Sequence, residues 1–157
     1  MARNTDNGGS PATILLAEDN PADQALTRRV LSSDVIPCDL RIVSDGEEAL
    51  DYLLGRERYA DHKDAPRPDL ILLDINMPRL DGLQVLKSMR ETPELEAIPV
   101  VVLTTSSHEN DVLNSYKLGC NSFVNKPADV PEFIATLKQI GDYWLRLVML
   151  PPSSSDD

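Results

Sequence analysis

Polar residues stand wherever a run of apolar side chains stops, and together their types could move a phosphoryl group. Glu18-Asp19 closes Thr13-Ile14-Leu15-Leu16-Ala17, Asp74 closes Leu70-Ile71-Leu72-Leu73, Thr104 closes Val100-Val101-Val102-Leu103, and Ser122-Phe123-Val124 ends at Asn125-Lys126. Three carboxylates brought close repel each other, so either one takes up a proton or a cation binds among them. Hard oxygen ligands with room for water suit Mg2+, held by one or two carboxylates plus a phosphate. Lys126 is a mobile point charge that can pair with a carboxylate or a phosphoryl oxygen. Thr104 offers a hydroxyl donor. An aspartate beside a divalent cation, an ammonium and a hydroxyl has what an acyl-phosphate nucleophile needs: the carboxylate attacks phosphorus while the cations stabilise the transferring charge. Taken singly, each residue reads more plainly as a solvated strand end, an ordinary strand threonine or a surface lysine. Their recurrence at successive strand ends is what favours a site.

That convergence depends on the elements between. A strand apolar on both faces belongs in the middle of a parallel sheet, and Pro78 ends the one before Asp74, since proline cannot extend a ladder. Asn20-Pro21 opens a first helix as N-cap and first residue. Leu40 to Val43 reads as an outer strand, and Asp45-Gly46-Glu47-Glu48 resembles a capping box. Gly55 to Pro68 is polar and proline-punctuated, and is expected to be the least packed part. A third helix starts near Gly82. Ser106 or Ser107 should cap a fourth, which Gly119 stops. Asp129 to Glu132 opens a long last helix running to about Met149. The alternation predicts an α/β fold: a flavodoxin-like, doubly wound, five-stranded parallel sheet in the order 2-1-3-4-5, with five helices. In that order strands one, three, four and five are neighbours, and their polar ends share one crevice.

The chain has 157 residues, 41% hydrophobic, which fits one domain with an ordinary core. Residues 12–150 are read as that domain, with 1–11 and 151–157 as disordered tails. A net charge of −11 without a Lys/Arg cluster argues against binding nucleic acid or anionic lipid. The apolar runs are far too short to cross a membrane, and Met1 to Ser10 lacks a signal-peptide core. Cys38 and Cys120 show no metal or redox spacing and are expected to be buried thiols in a reducing cytoplasm. His62 and His108 are isolated.

These residues match a family. The chain resembles the CheY-like receiver domain of two-component response regulators through Ile14-Leu15-Leu16-Ala17-Glu18-Asp19-Asn20, Asp69 to Asp74, Met77-Pro78 with Asp81-Gly82, Val102-Leu103-Thr104, and Lys126-Pro127. The separations of Asp74 from Thr104 and from Lys126 also match, and the likeness spans about residues 13–148. It implies that Asp74 accepts a phosphoryl group from a phosphohistidine on a sensor histidine kinase. It implies that Glu18, Asp19, Asp74 and the main-chain carbonyl of Asn76 hold Mg2+, and that Thr104 and Lys126 bind the phosphoryl oxygens. Thr104 and Phe123 would form the switch pair, a two-state element biased by a local charge change, and Lys126-Pro127 would be a cis bond. Tyr59-Ala60-Asp61, the run Val102 to Ser107 and the ending Asp142 to Pro151 resemble the single-domain regulators that partner bacterial phytochromes. Two departures stand out. Thr105 sits where the family usually has Ala or Gly, beside the phosphoryl approach, and Phe123 replaces the frequent tyrosine, so switching must rest on packing. Asn76 and Ser106 flank the path of attacking water.

Output would pass through a protein contact. The last helix carries more apolar residues than one inward stripe needs, and Phe133, Trp144, Leu145 and Val148 are the candidate partner interface. The resemblance adds a homodimer through this helix and the face of helix four and strand five; the downstream protein is unknown. Three other readings compete. A haloacid-dehalogenase-type phosphohydrolase would also use Asp74, but it carries a second Asp two residues on, where this chain has Asn76. An unphosphorylated dimerisation module would not need the intact set Glu18, Asp19, Asp74, Thr104 and Lys126. A flavin-binding flavodoxin-like domain would need a phosphate cradle where Glu18-Asp19 stands.

Overall fold

Alternate residues of the central strands face opposite ways, and both sets are apolar, so these strands can be buried only between two layers of helices. The computed structural model shows that arrangement; it describes residues 11–32, 36–61 and 63–152. Of the expected tails 1–11 and 151–157, residues 1–10 and 153–157 lie outside the described residues, as does His62. The order is β1 Thr13–Ala17, α1 Pro21–Leu31, β2 Asp39–Val43, α2 Gly46–Leu54, β3 Leu70–Leu73, α3 Gly82–Arg90, β4 Val100–Thr104, α4 Glu109–Lys117, β5 Ser122–Asn125 and α5 Val130–Asp142. All strand pairs are parallel, in the order β2-β1-β3-β4-β5. This is the flavodoxin-like α/β fold expected from the sequence.

Leu15, Ala17, Ile71, Leu73, Val100 and Val102 pack on one face against Val85, Leu86 and Met89 of α3 and Ala49 and Leu50 of α2. Ile14, Leu16, Leu70, Leu72, Val101 and Leu103 pack on the other against Val30 and Leu31 of α1 and Phe133, Leu137 and Ile140 of α5. The register aligns the carboxyl ends: Ala17 lies opposite Leu73, Leu73 opposite Val102, and Thr104 opposite Asn125. Ladder bonds continue one residue further, from the Asp74 N–H to the Ala17 carbonyl (3.0 Å) and from the Lys126 N–H to the Thr104 carbonyl (2.6 Å). The backbone itself therefore fixes where these two side chains start.

Four expectations are corrected. The segment after α2 is tied down: Gly55 takes the left-handed C-cap conformation (φ 66°), Tyr59 is buried against Tyr52, and the Tyr52 hydroxyl donates to the Pro66 carbonyl (2.8 Å). His108, whose side chain makes no capping bond, is the N-cap of α4, because the Ser106 hydroxyl instead donates to Asp111 (2.5 Å). No described peptide bond is cis, so Lys126–Pro127 is trans, the isomer X–Pro bonds prefer.

The last helix supplies the fourth correction. α5 ends at Asp142 and widens into a π-helical turn, Tyr143–Leu147, closed by the Val148 N–H on the Tyr143 carbonyl (2.9 Å). A regular helix that buries Phe133, Leu137 and Ile140 would next turn Trp144 inward. The extra residue of a π turn shifts that position by one, and Leu145 enters the core instead. Phe133 (3% exposed) and Leu145 (2%) are thus core residues against α1 and the sheet, not interface. Trp144 and Val148 are half-buried. The apolar surface lies on their neighbours Tyr143, Leu147 and Met149, exposed by 51%, 75% and 68%.

Candidate functional site

Asp74 leaves the sheet at the end of β3, and the chain beyond it turns at once. The Asp81 side chain and Gln84 form a reciprocal capping box at the start of α3. That start presses onto the strand end, with the Gly82 N–H on the Ile75 carbonyl (3.1 Å). A Cβ at Gly82 would lie 2.4 Å from the Asp74 carbonyl oxygen, so only glycine allows this approach. The Asp74 carboxylate is then held from three directions. The Thr104 hydroxyl donates to Oδ1 (2.8 Å), the Asn76 backbone N–H also donates to Oδ1 (2.9 Å), and the Lys126 ammonium approaches Oδ2 (3.3 Å). The Asn76 amide donates to Thr104 Oγ1 (3.3 Å).

β1 brings the remaining acids. Glu18 is buried and Asp19 exposed, and ligand oxygens of Glu18, Asp19 and Asp74 lie within 4.8 Å of one another. Glu18 accepts from the Asn20 N–H (3.1 Å) and from Lys126 Nζ. Sequence reasoning missed Asp23, whose Oδ2 accepts from Lys126 Nζ at 2.9 Å. The available signal was the Asn20-Pro21 helix start, which puts an acid at the third helical position, in the turn that faces the strand ends. Phe123 is half-buried against the α2/α3 face of the core, and its backbone N–H donates to the Tyr116 hydroxyl on α4 (3.2 Å). A hydroxyl thus does reach β5, from α4 rather than from position 123 itself.

Electrostatics follow from burial. Desolvation pushes the Glu18 carboxyl up, against its hydrogen bonds to Lys126 and the Asn20 N–H, and the nearby Asp74 charge adds to the rise. Burial alone would lower the Lys126 ammonium. Hydrogen bonds to Glu18 and Asp23, with the charges of Glu18 and Asp74, outweigh it and hold the group above the ordinary lysine value. Glu18, Asp23 and Asp74 surround one ammonium and Asp19 lies beside Glu18 and Asp74, so negative charge is in excess. All available donors are hard oxygens, a set that fits a divalent cation of the Mg2+ or Mn2+ kind.

A parallel sheet in this order, with an acidic cluster, a threonine and a lysine at its carboxyl edge, is the arrangement of a phosphoacceptor receiver. The chain matches the response regulator receiver domain over residues 14–138, and it belongs to that family. It is 40% identical over 147 residues to the response regulator Rcp1 of Synechocystis sp., covering 94% of this chain and 98% of Rcp1. Its fold superposes on the crystal structure of the phosphorylated cyanobacterial phytochrome response regulator RcpA with a TM-score of 0.86, at 40% identity, over 91% of this chain and 100% of RcpA. The Mn2+-bound form of Rcp1 superposes with a TM-score of 0.84, at 41% identity, over 90% of this chain and 100% of that one. The protein is thus a receiver-type response regulator of phosphorelay signalling, related to phytochrome response regulators. Receivers bind a divalent metal at their acidic pocket and are generally signalling proteins rather than enzymes. The family assignment displaces the phosphohydrolase and flavodoxin readings. Among the described residues, no helix is long and apolar enough to cross a membrane.

Proposed function

We propose that Asp74 accepts a phosphoryl group from the phosphohistidine of a sensor histidine kinase, and that the protein signals through altered protein contacts. The observation that carries this is the pair of donors on one buried carboxylate: Thr104 Oγ1 at 2.8 Å and Lys126 Nζ at 3.3 Å, beside Glu18 and Asp19. A carboxylate oxygen of Asp74 forms the bond to phosphorus while the P–N bond of the phosphohistidine breaks. The imidazole keeps that electron pair and takes a proton. Lys126 and Thr104 receive the phosphoryl oxygens. Glu18, Asp19, Asp74 and the Asn76 carbonyl are the proposed Mg2+ ligands, and Mg2+ supplies charge neutralisation on the transferring group. The same residues serve hydrolysis of the acyl phosphate, so the chain's chemistry is confined to its own phosphorylation state.

When Thr104 turns towards the phosphoryl group, it leaves the Asn76 amide and vacates space behind it, which Phe123 enters. The likeness to the phytochrome response regulator RcpA supports a bacterial phytochrome as the kinase. Exposed Tyr143, Leu147 and Met149, with Leu113 and Tyr116 on α4, support a homodimer or a downstream protein contact on this side. A cytoplasmic location fits the kinase partner and the free thiols. The test is incubation with acetyl phosphate and Mg2+, followed by intact mass. The wild type gains the mass of one phosphoryl group and Asp74→Asn gains none. A wild type without the gain refutes the proposal, and a gain retained in Asp74→Asn moves the acceptor elsewhere.

A further inference from the structure

The Lys126 ammonium has three N–H donors, and each meets a carboxylate: Glu18 Oε1, Asp23 Oδ2 and Asp74 Oδ2. Two of these carboxylates have other work. On the reading above, Glu18 turns to the metal and Asp74 becomes esterified. Only Asp23 is claimed by neither. We infer that Asp23 is the positioning residue for Lys126, holding the ammonium aimed at the phosphoryl group while its other two partners change. The inference rests on Asp74 being the phosphoacceptor.

Asp23 is built for that task. Its N–H is fixed by the Asn20 side chain (3.1 Å), and its carbonyl accepts from the Thr27 hydroxyl (2.8 Å), where Thr27 is itself buried. The turn is thus pinned on both sides of Asp23. Helix capping does not need the Asp23 carboxylate, because Asn20 Oδ1 already accepts from the N–H groups of Ala22 and Asp23. Among the described residues, that carboxylate bonds to Lys126 alone. The lysine needs such a guide. Its flexible four-carbon stem carries a point charge without preferred direction, and the ladder bond to Thr104 of β4 fixes its backbone but not its side chain. A carboxylate anchored on α1 converts that freedom into one direction. It also joins the first turn of α1 to the occupancy of the site, because the same ammonium touches both.

The test measures Asp74 phosphorylation from acetyl phosphate at saturating Mg2+, by intact mass against time, in the wild type, Asp23→Ala and Asp23→Asn. A misaimed catalytic group costs on the order of tenfold or more in rate, so Asp23→Ala should lose about tenfold in maximal rate. Asp23→Asn keeps an acceptor oxygen at the same reach and should recover most of that loss. The Mg2+ concentration for half-maximal rate should stay within about twofold in both, since Asp23 is not among the proposed ligands. A general packing defect would not be rescued by Asn. If Asp23→Ala loses cooperative unfolding, Asp23→Ser, too short to reach Lys126, replaces it. A wild type that is phosphorylated while the Ala or Ser variant keeps pace, or equal losses in Asn and Ala, overturns the inference alone. A wild type that gains no phosphoryl mass overturns the phosphoacceptor reading and the inference with it.

Discussion

Two aspartates bracket β3, and they live under different rules. Asp69 precedes Leu70 and is 3% exposed; Asp74 follows Leu73 and is 6% exposed. Asp69 is bound to main chain: its Oδ2 accepts from the Thr13 N–H (2.8 Å), and its own N–H bonds the Thr13 carbonyl (2.7 Å). The Asp74 carboxylate accepts from one main-chain N–H, that of Asn76, and also from two side chains, the Thr104 hydroxyl and the Lys126 ammonium. The same contrast holds for the neighbourhoods. At the amino pole the Arg90 guanidinium donates to the carbonyls of Gly119, Glu96 and Ile98, and Asn121 accepts from the Val100 N–H. At the carboxyl pole carboxylates crowd one lysine. Main-chain partners cannot be exchanged without unfolding, whereas side-chain ion pairs can yield to a metal ion or a phosphoryl group. One sheet thus has a locked end and an exchangeable end.

The widest separation should appear when each aspartate loses its charge. Asp69→Ala leaves the buried Thr13 N–H without its acceptor, a hydrogen bond to a charged group worth about 3 kcal/mol at the upper end. Asp74→Asn removes one of several crowded like charges and leaves Lys126 paired with Glu18 and Asp23. Urea unfolding should show Asp69→Ala less stable by about 2–3 kcal/mol and Asp74→Asn no less stable than wild type. Phosphorylation should follow the opposite pattern, retained by folded Asp69→Ala and lost in Asp74→Asn. Equal destabilisation by the two changes would erase the distinction between the poles.

Arg90 tests the locked pole from its rim. Its guanidinium reaches three main-chain carbonyls and Asn121, linking the end of α3 to the turns before β4 and β5. Burial lowers its pKa from the ordinary arginine value, and it stays charged, as arginine does in proteins. Arg90→Ala should cost about 2 kcal/mol in urea unfolding. Arg90→Lys should recover little, because an ammonium cannot reproduce the planar fork. Full recovery by lysine would mean that charge alone matters there.

How far all this could be read in advance depended on what each residue's placement required. β1, β3 and β4 were legible because their residues are apolar on both faces, which only a central strand explains. Glu18, Asp19, Asp74, Thr104 and Lys126 were legible because a strand end is a position along the chain. Asp23 was not, since its role appears only when α1 and the end of β5 are placed side by side. The shift from Trp144 to Leu145 was also hidden. From Tyr143 to Leu150 the chain is apolar nearly all round, so periodicity could not say which residue turns inward. Ser106 looked like a cap because caps are local, but its hydroxyl took a partner five residues on.

The smallest expected effect belongs to the exchangeable pole. Burial raises the Glu18 carboxyl above its ordinary value near 4.5, so the folded protein binds that proton more tightly than the unfolded chain. By linkage, the stability of the metal-free protein falls as pH rises from about 4.5 through the folded Glu18 pKa. The Lys126 contribution has a different window: its raised pKa gives stability that is complete below the ordinary lysine value of 10.5 and lost only at higher pH. On the proposed ligand set, a divalent cation would take the place of the Glu18 proton. At ten times its Kd, Mg2+ should stabilise the fold by about 1.4 kcal/mol, and at a fixed concentration the gain should be larger at pH 7 than at pH 5. Thermal unfolding with and without Mg2+ at the two pH values measures this. Asp69→Ala should keep the Mg2+ gain and Asp74→Asn should lose most of it. A gain independent of pH, or one unaffected by Asp74→Asn, would show that the metal binds away from the cluster of Glu18, Asp19 and Asp74.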